Sequence, residues 1–305
     1  MSKYGYKVAI AFFLCMLIAP FGKGQNIASW KEKLKRYYTS ADWHWSDTLH
    51  ASHRQYLIRL ALGGVKDAYI SPIAHRGPEV VFMVLGDDPL KSAVLQGLYS
   101  EFMVGGGLYA NPTNKSQLYS ASINGAIGPM WRLMRKPSFA LDLGPMWGID
   151  ANALLKMSNS NNIFNLHLST GIDIAVRAVY APQCKSFPFR VHWTNRVQLM
   201  RVGFAPRFGQ AYYDYVSGEN RGKIGVYLSH PFNCWGITSR CLVDLPIRGS
   251  DLTVGVEYQH LYNKAPDNPY QTGRIGLVLG CSFDIFTLSG YHQRSAKPWV
   301  NTFEP

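Results

Sequence analysis

The chain has 305 residues and a formal net charge of +12, with 16% charged and 47% hydrophobic residues. A soluble domain usually carries about a quarter charged residues, yet no run reaches the roughly 18 uncharged apolar residues of a membrane helix. Composition therefore argues against an ordinary soluble surface and excludes a helical span, and it leaves the apolar side chains dispersed, as alternating strands disperse them.

The N-terminus reads as a signal peptide over 1–24. Lys3 and Lys7 supply positive charge, 8–18 is apolar, and Ala19, Pro20, Gly22 and Gly24 form a small-residue cleavage region. Cys15 lies inside the apolar stretch, a poor position for a lipoprotein acceptor. Processing near Gln25 removes Lys3, Lys7 and Lys23, so 28 basic residues face 19 acidic ones. A basic surface suits nucleic acid or phosphorylated headgroups. Export points to outer-membrane lipid and lipopolysaccharide, with barrel-assembly machinery as the partner during biogenesis and no nucleic acid.

Residues 25–54 read as a periplasmic lead-in. Trp30, Leu34 and Tyr38 recur at helical spacing among Lys31, Lys33, Lys35 and Arg36, which predicts a short basic amphipathic helix over 26–40. Asp47, His50 and His53 are three apart, with His44 near them. A metal needs three or four converging ligands and a supporting shell, so this run reads as a polar linker. No metal or cofactor is expected.

From about Gln55 the period becomes two, and 55–291 reads as an outer-membrane β-barrel followed by a tail over 292–305. The clearest strand is 164–180. Phe164, Leu166, Leu168, Ile172, Ile174, Val176 and Tyr180 share one face, while Asn165, His167, Ser169, Asp173 and Arg177 share the other. Ordinary strands run about 5–6 residues, whereas membrane strands of about 9–11 with extensions fit this length. The alternation recurs over 117–131, 138–150, 189–194, 252–258 and 275–283. Weaker windows lie at 55–66, 78–86, 94–109, 221–229, 236–246 and 284–291. The fold expected is all-β, a transmembrane antiparallel barrel of about twelve strands, with ten or fourteen as alternatives. A soluble sandwich or lipocalin-like barrel would also alternate; strand length, the signal peptide and low charge density favour the membrane.

Turn residues separate the strands at 111–114, 135–137, 158–162, 181–182 and 263–269. The longest connection, 205–221, carries Tyr212, Tyr213 and Tyr215 and reads as an exposed loop. The connection at 248–250 is shorter than that at 263–270, which breaks the alternation of short and long connections. Gly-Pro-Met-Trp occurs at 128–131 and again at 144–147. With Trp193 and Tyr180, Trp131 and Trp147 are candidates for aromatic girdles at two depths. Gly105, Gly106 and Gly107 suit strong local curvature.

With the wet faces inward, the lumen collects Arg59, Arg177, Arg190, Arg196, Arg240 and Arg274 against Glu101, Asp142, Asp150, Asp173, Asp244 and Glu257. Small barrels leave little room beyond their side chains, and buried charges must pair, so a largely occluded interior follows. His167, Ser169 and Asp173 share a face and form a weak alternative catalytic set, because a hydroxyl nucleophile needs a base and a group that orients it. No Gly-x-Ser-x-Gly elbow is present. Cys241 and Cys281 fall on apolar faces, and Cys184 and Cys234 read as loop-borne with pairing open.

Several segments carry a resemblance. Residues 68–72 read Ala-Tyr-Ile-Ser-Pro, followed by Arg-Gly-Pro-Glu-Val at 76–80, Asn-Ser-Asn-Asn at 159–162 and Ala-Pro-Arg-Phe-Gly-Gln-Ala-Tyr-Tyr at 205–213. The chain from about 47 to 286 resembles a family of uncharacterised outer-membrane barrel proteins, a domain of unknown function. His75 stands where that pattern suggests an aromatic, and the last strand, ending near Phe283 or Tyr291, is followed by a tail. The resemblance implies a barrel and carries over no catalytic residue. The expected role is non-enzymatic: structural, small-solute or surface assembly. A lipid or lipopolysaccharide hydrolase, or an accessory subunit of a secretion or glycan-uptake complex, is the alternative.

Overall fold

The computed structural model describes residues 51–89, 97–113, 116–136, 138–159, 162–182, 189–205, 225–247, 250–264 and 269–286. The expected signal peptide, the helix over 26–40, the linker residues His44, Asp47 and His50, and the tail over 292–305 lie outside them.

Eleven strands follow in order among the described residues: β1 (Ala51–Asp67), β2 (Ser71–Pro89), β3 (Gly97–Ala110), β4 (Gln117–Lys136), β5 (Phe139–Leu155), β6 (Phe164–Tyr180), β7 (Arg190–Phe204), β8 (Val226–Ser229), β9 (Cys234–Ile247), β10 (Ser250–Asn263) and β11 (Tyr270–Phe286). Each pairs antiparallel with its neighbours, and β1 pairs with β11 from Ala51 opposite Phe286 to Asp67 opposite Tyr270. The sheet therefore closes, which removes the open edges that strands otherwise expose.

Closure uses ten strand positions, not twelve. β8 and β9 both pair with β7, at Phe204–Arg201 and at Val197–Arg190. They occupy one position, interrupted by a turn in which the Asn233 and Cys234 amides donate to the His230 carbonyl. The windows 221–229 and 236–246 thus count once. The windows 275–283 and 284–291 likewise merge into β11, which ends at Phe286. This count places the short and the long late connections at opposite ends. The 248–249 connection falls at the end of the barrel that carries Ala51 and Phe286, and 264–269 falls at the other end.

Burial decides which face points where. On β6, Asn165, His167, Asp173, Ala175 and Arg177 are buried, while Leu168, Ile172, Ile174 and Tyr180 are exposed. The same holds around the wall, where Leu62 and Leu277 are each 69% exposed beside buried Arg59 and Arg274. Soluble proteins rarely expose apolar patches beyond a few hundred Å². A girdling apolar exterior around a charged interior is stable against hydrocarbon.

Two irregularities re-aim side chains. The register of β6 and β7 shifts between Ile172, opposite Met200, and Asp173, opposite Gln198, which leaves Leu199 as an extra residue. A bulge of this kind inverts the alternation beyond it: Arg196 is buried, and so is Arg201. A second shift places Arg132 opposite Asp142 but Met134 opposite Leu141.

The repeated Gly-Pro-Met-Trp has a structural cause. The two copies lie on adjacent strands, and an added Cβ at Gly128 would sit 2.0 Å from the Pro145 carbonyl oxygen. At Gly144 it would sit 2.0 Å from that of Pro129. Each proline lacks an amide donor, and each glycine clears the opposite proline's carbonyl, so the copies interlock.

Candidate functional site

Inside the barrel, ten charged side chains form one alternating series across the lumen. Arg274 on β11 meets Glu79 on β2 at 2.7 Å, and Glu79 meets Arg59 on β1 at 2.8 Å. Arg59 bonds Glu257 on β10, which bonds Arg240 on β9. Arg240 reaches Glu101 on β3 at 3.0 Å, and Glu101 takes Arg196 on β7 at 3.0 Å. Arg196 lies 3.4 Å from Asp173 on β6, which Arg201 grips at 2.5 Å while also bonding Asp150 on β5. Five guanidinium groups alternate with five carboxylates. A buried charge is tolerable only when paired and hydrogen-bonded, and here most members have partners on both sides. Apolar side chains, among them Leu57, Met83, Met103, Leu242 and Val278, fill the space beside the series.

The charges nearer the Ala51–Phe286 end of the barrel form separate pairs. Arg177 meets Asp87 at 2.6 Å and lies 5.3 Å above the Tyr99 ring centroid, a cation–π contact. Arg132 meets Asp142 at 2.6 Å, and Arg190 lies 4.0 Å from Asp251. Asp244 accepts from His192 at 2.7 Å, from Thr253 at 2.6 Å and from Gln55 at 3.2 Å. His53 stacks on His192 with centroids 5.5 Å apart. Two cavities among these side chains measure about 10 and 20 Å³, room for about one water molecule each. Around them the described side chains leave little free space.

His167, Ser169 and Asp173 lie on the inner face of β6 without forming a triad. His167 Nε2 sits 2.9 Å from Asp67 and 3.0 Å from the Asn165 amide, and its ring stacks on Tyr270 at 4.0 Å. Ser169 accepts from Arg201 at 3.3 Å. Asp173 is held by Arg201 and Arg196, so the carboxylate that orients His167 is Asp67. All three candidates are inside the barrel, away from the apolar exterior that acyl chains would touch.

Trp131, Trp147, Trp193 and Tyr180 are exposed on the outer face. Trp147 pairs with Ile127, four residues along β4 from Trp131. At about 3.3 Å per residue that is about half of the roughly 25 Å between the girdles of a membrane barrel. These two indoles sit at different depths but do not mark both rims. Tyr212, Tyr213 and Tyr215 lie outside the described residues, as does Cys184. Cys234 is buried at the start of β9, its Sγ 4.0 Å from Gln198. Of the glycine run, Gly107 leaves space for the Tyr109 ring, whose hydroxyl donates to Glu79 at 2.5 Å.

Sequence reasoning missed Arg201, Glu79, Asp67 and Asp87. Strict alternation from Arg196 puts Arg201 outside, and only the Leu199 bulge brings it in. Glu79 shares its inner face with Val81, Met83 and Leu85, opposite Val80, Phe82 and Val84. With both faces apolar, period two gave no sidedness there.

A family of proteins of unknown function, DUF3316, matches residues 30–272. The chain belongs to this family. The DUF3316 assignment agrees with the resemblance read from 68–80, 159–162 and 205–213. No curated protein matches. Similar solved structures include the translocator domain of the autotransporter NalP from Neisseria meningitidis, at 9% identity and a TM-score of 0.37, covering 83% of this chain and 96% of that one. The transport unit of the autotransporter AIDA-I from Escherichia coli gives 6% and 0.40, covering 85% and 98%. The outer membrane protease OmpT from Escherichia coli gives 9% and 0.44, covering 77% and 97%. At these scores the architecture of the DUF3316 barrel rests on its own strand pairings.

Proposed function

We propose that this protein is exported through a cleaved signal peptide, spans the outer membrane of a Gram-negative cell, and works there as a closed scaffold. Its apolar exterior contacts outer-membrane lipid and lipopolysaccharide, and barrel-assembly machinery inserts it. Its role is structural or in surface assembly, with the connection carrying Tyr212, Tyr213 and Tyr215 offered for contact outside. The observation that carries this reading is the alternating series from Arg274 to Asp150, which fills the lumen with charges that satisfy one another. A selective pore needs an unobstructed path and usually a ring of one sign; here the two signs alternate and pair.

Two measurements test the reading. Fractionation should place a heat-modifiable protein in the outer membrane. Purified protein in planar bilayers should give no steady conductance, and large persistent currents would refute the closed scaffold.

A further inference from the structure

Every acid of the lumen series is met by guanidinium groups, which bind no metal. Asp244 differs, because its Oδ2 is approached by two imidazoles. His192 Nε2 on β7 is 2.7 Å away, and His53 Nε2 on β1 is 3.7 Å away. Ligand atoms of the three residues lie within 4.8 Å of one another. We propose that His53, His192 and Asp244 form a binding site for a divalent transition-metal ion of the zinc type.

The geometry fits such an ion. Ligands about 2.0–2.1 Å from a tetrahedral zinc stand about 3.3 Å apart, and the two nitrogen–oxygen separations bracket that value. Small movements of His192 outward and His53 inward bring both to it. The carboxylate is already oriented, since Thr253 and Gln55 both donate to Oδ1 and leave Oδ2 to the imidazoles. Such outer partners are what fixed metal ligands require. The adjoining cavity of about 10 Å³, lined by both histidines, has room for about one water as the fourth ligand. Nearby positive charge is offset, because Arg177 pairs with Asp87 and Arg190 faces Asp251. The ion has a way in: the His53 side chain is 12% exposed, whereas that of Asp244 is 1% exposed. Two imidazole nitrogens with one carboxylate oxygen select zinc, nickel or copper over magnesium or calcium.

The test uses untagged, full-length mature protein in detergent micelles, freed of metal with a chelator and dialysed against zinc alone. Wild type should take up about one equivalent per barrel, and cobalt in its place should show the visible bands of a low-coordinate site. His53→Ala should weaken zinc binding by about tenfold or more while keeping the heat-modifiable gel shift of a folded barrel. His53 is partly exposed whereas His192 is buried, so that variant remains informative even if His192→Ala fails to fold. Absence of stoichiometric zinc in wild type, or equal zinc affinity of wild type and folded His53→Ala in a titration, overturns the site.

Discussion

Arg201 on β7 holds Asp173 on β6 through two nitrogens, with Nε 2.9 Å from Oδ1 and Nη2 2.5 Å from Oδ2. The extra residue Leu199 turns that guanidinium inward, and Gly148 makes room for it, since a Cβ there would lie 2.4 Å from Nη2. Both partners are almost wholly buried, so removing the Asp173 charge breaks a two-nitrogen grip in a dry interior and leaves Arg201 with Asp150 as its carboxylate partner. Asp173→Asn should cost about 3 kcal/mol. Asp88→Asn, which breaks the partly exposed Arg54–Asp88 pair, should cost less than about 1 kcal/mol. Denaturant unfolding in lipid vesicles, followed by tryptophan fluorescence, measures both.

Gly144→Ala should distort the interlocked copies of Gly-Pro-Met-Trp. The obstacle is the backbone oxygen of Pro129, which cannot swing aside as a side chain can. Strain of this kind costs about 1–3 kcal/mol. Gly273→Ala, where the nearest atom is 3.5 Å away, should be far milder in the same unfolding series. Equal costs at the two sites would remove the interlock as an explanation of the repeat.

Tyr109 makes two separable contributions. Its hydroxyl donates to Glu79, and its ring covers Gly107. Tyr109→Phe should cost about 1.5–3 kcal/mol, as for a hydrogen bond to a charged group. Tyr109→Ala should cost about 3–5 kcal/mol, because it also opens a cavity. If Phe and Ala cost the same, the ring contributes nothing.

Leu60 lies near the middle of β1 and is exposed on the outer face. Leu60→Arg should destabilise the barrel in lipid vesicles by about 2–4 kcal/mol if that face meets hydrocarbon. No loss in vesicles would place the apolar face elsewhere.

The architecture was legible where one face of a strand is wet and the other greasy. β5, β6 and β10 show this, and their inward charges Asp142, Asp173 and Glu257 could be picked out by counting in twos. The reading failed where counting in twos fails. β2 is apolar on both sides, so Glu79 was hidden. The Leu199 bulge reversed the parity of Arg201. A turn at His230 split one wall position into two windows and inflated the strand count. Partnerships across the lumen, such as Asp67 with His167 or Glu101 with Arg240, join residues about a hundred and about 140 positions apart. Only the curvature of the closed sheet brings them together.

The seam between the first and last strands is where the charge series crosses from one end of the sheet to the other. Arg59 of β1 reaches back to Glu257 of β10, and Arg274 of β11 reaches forward to Glu79 of β2. An unrolled sheet would keep Arg59 with Glu79 at one margin and leave Glu257 and Arg274 at the other, so neither of these two links could form. Rolling it up makes both contacts in one event. The ionic links therefore act as a latch that engages only when the cylinder is complete, and insertion should proceed without stable half-rolled species.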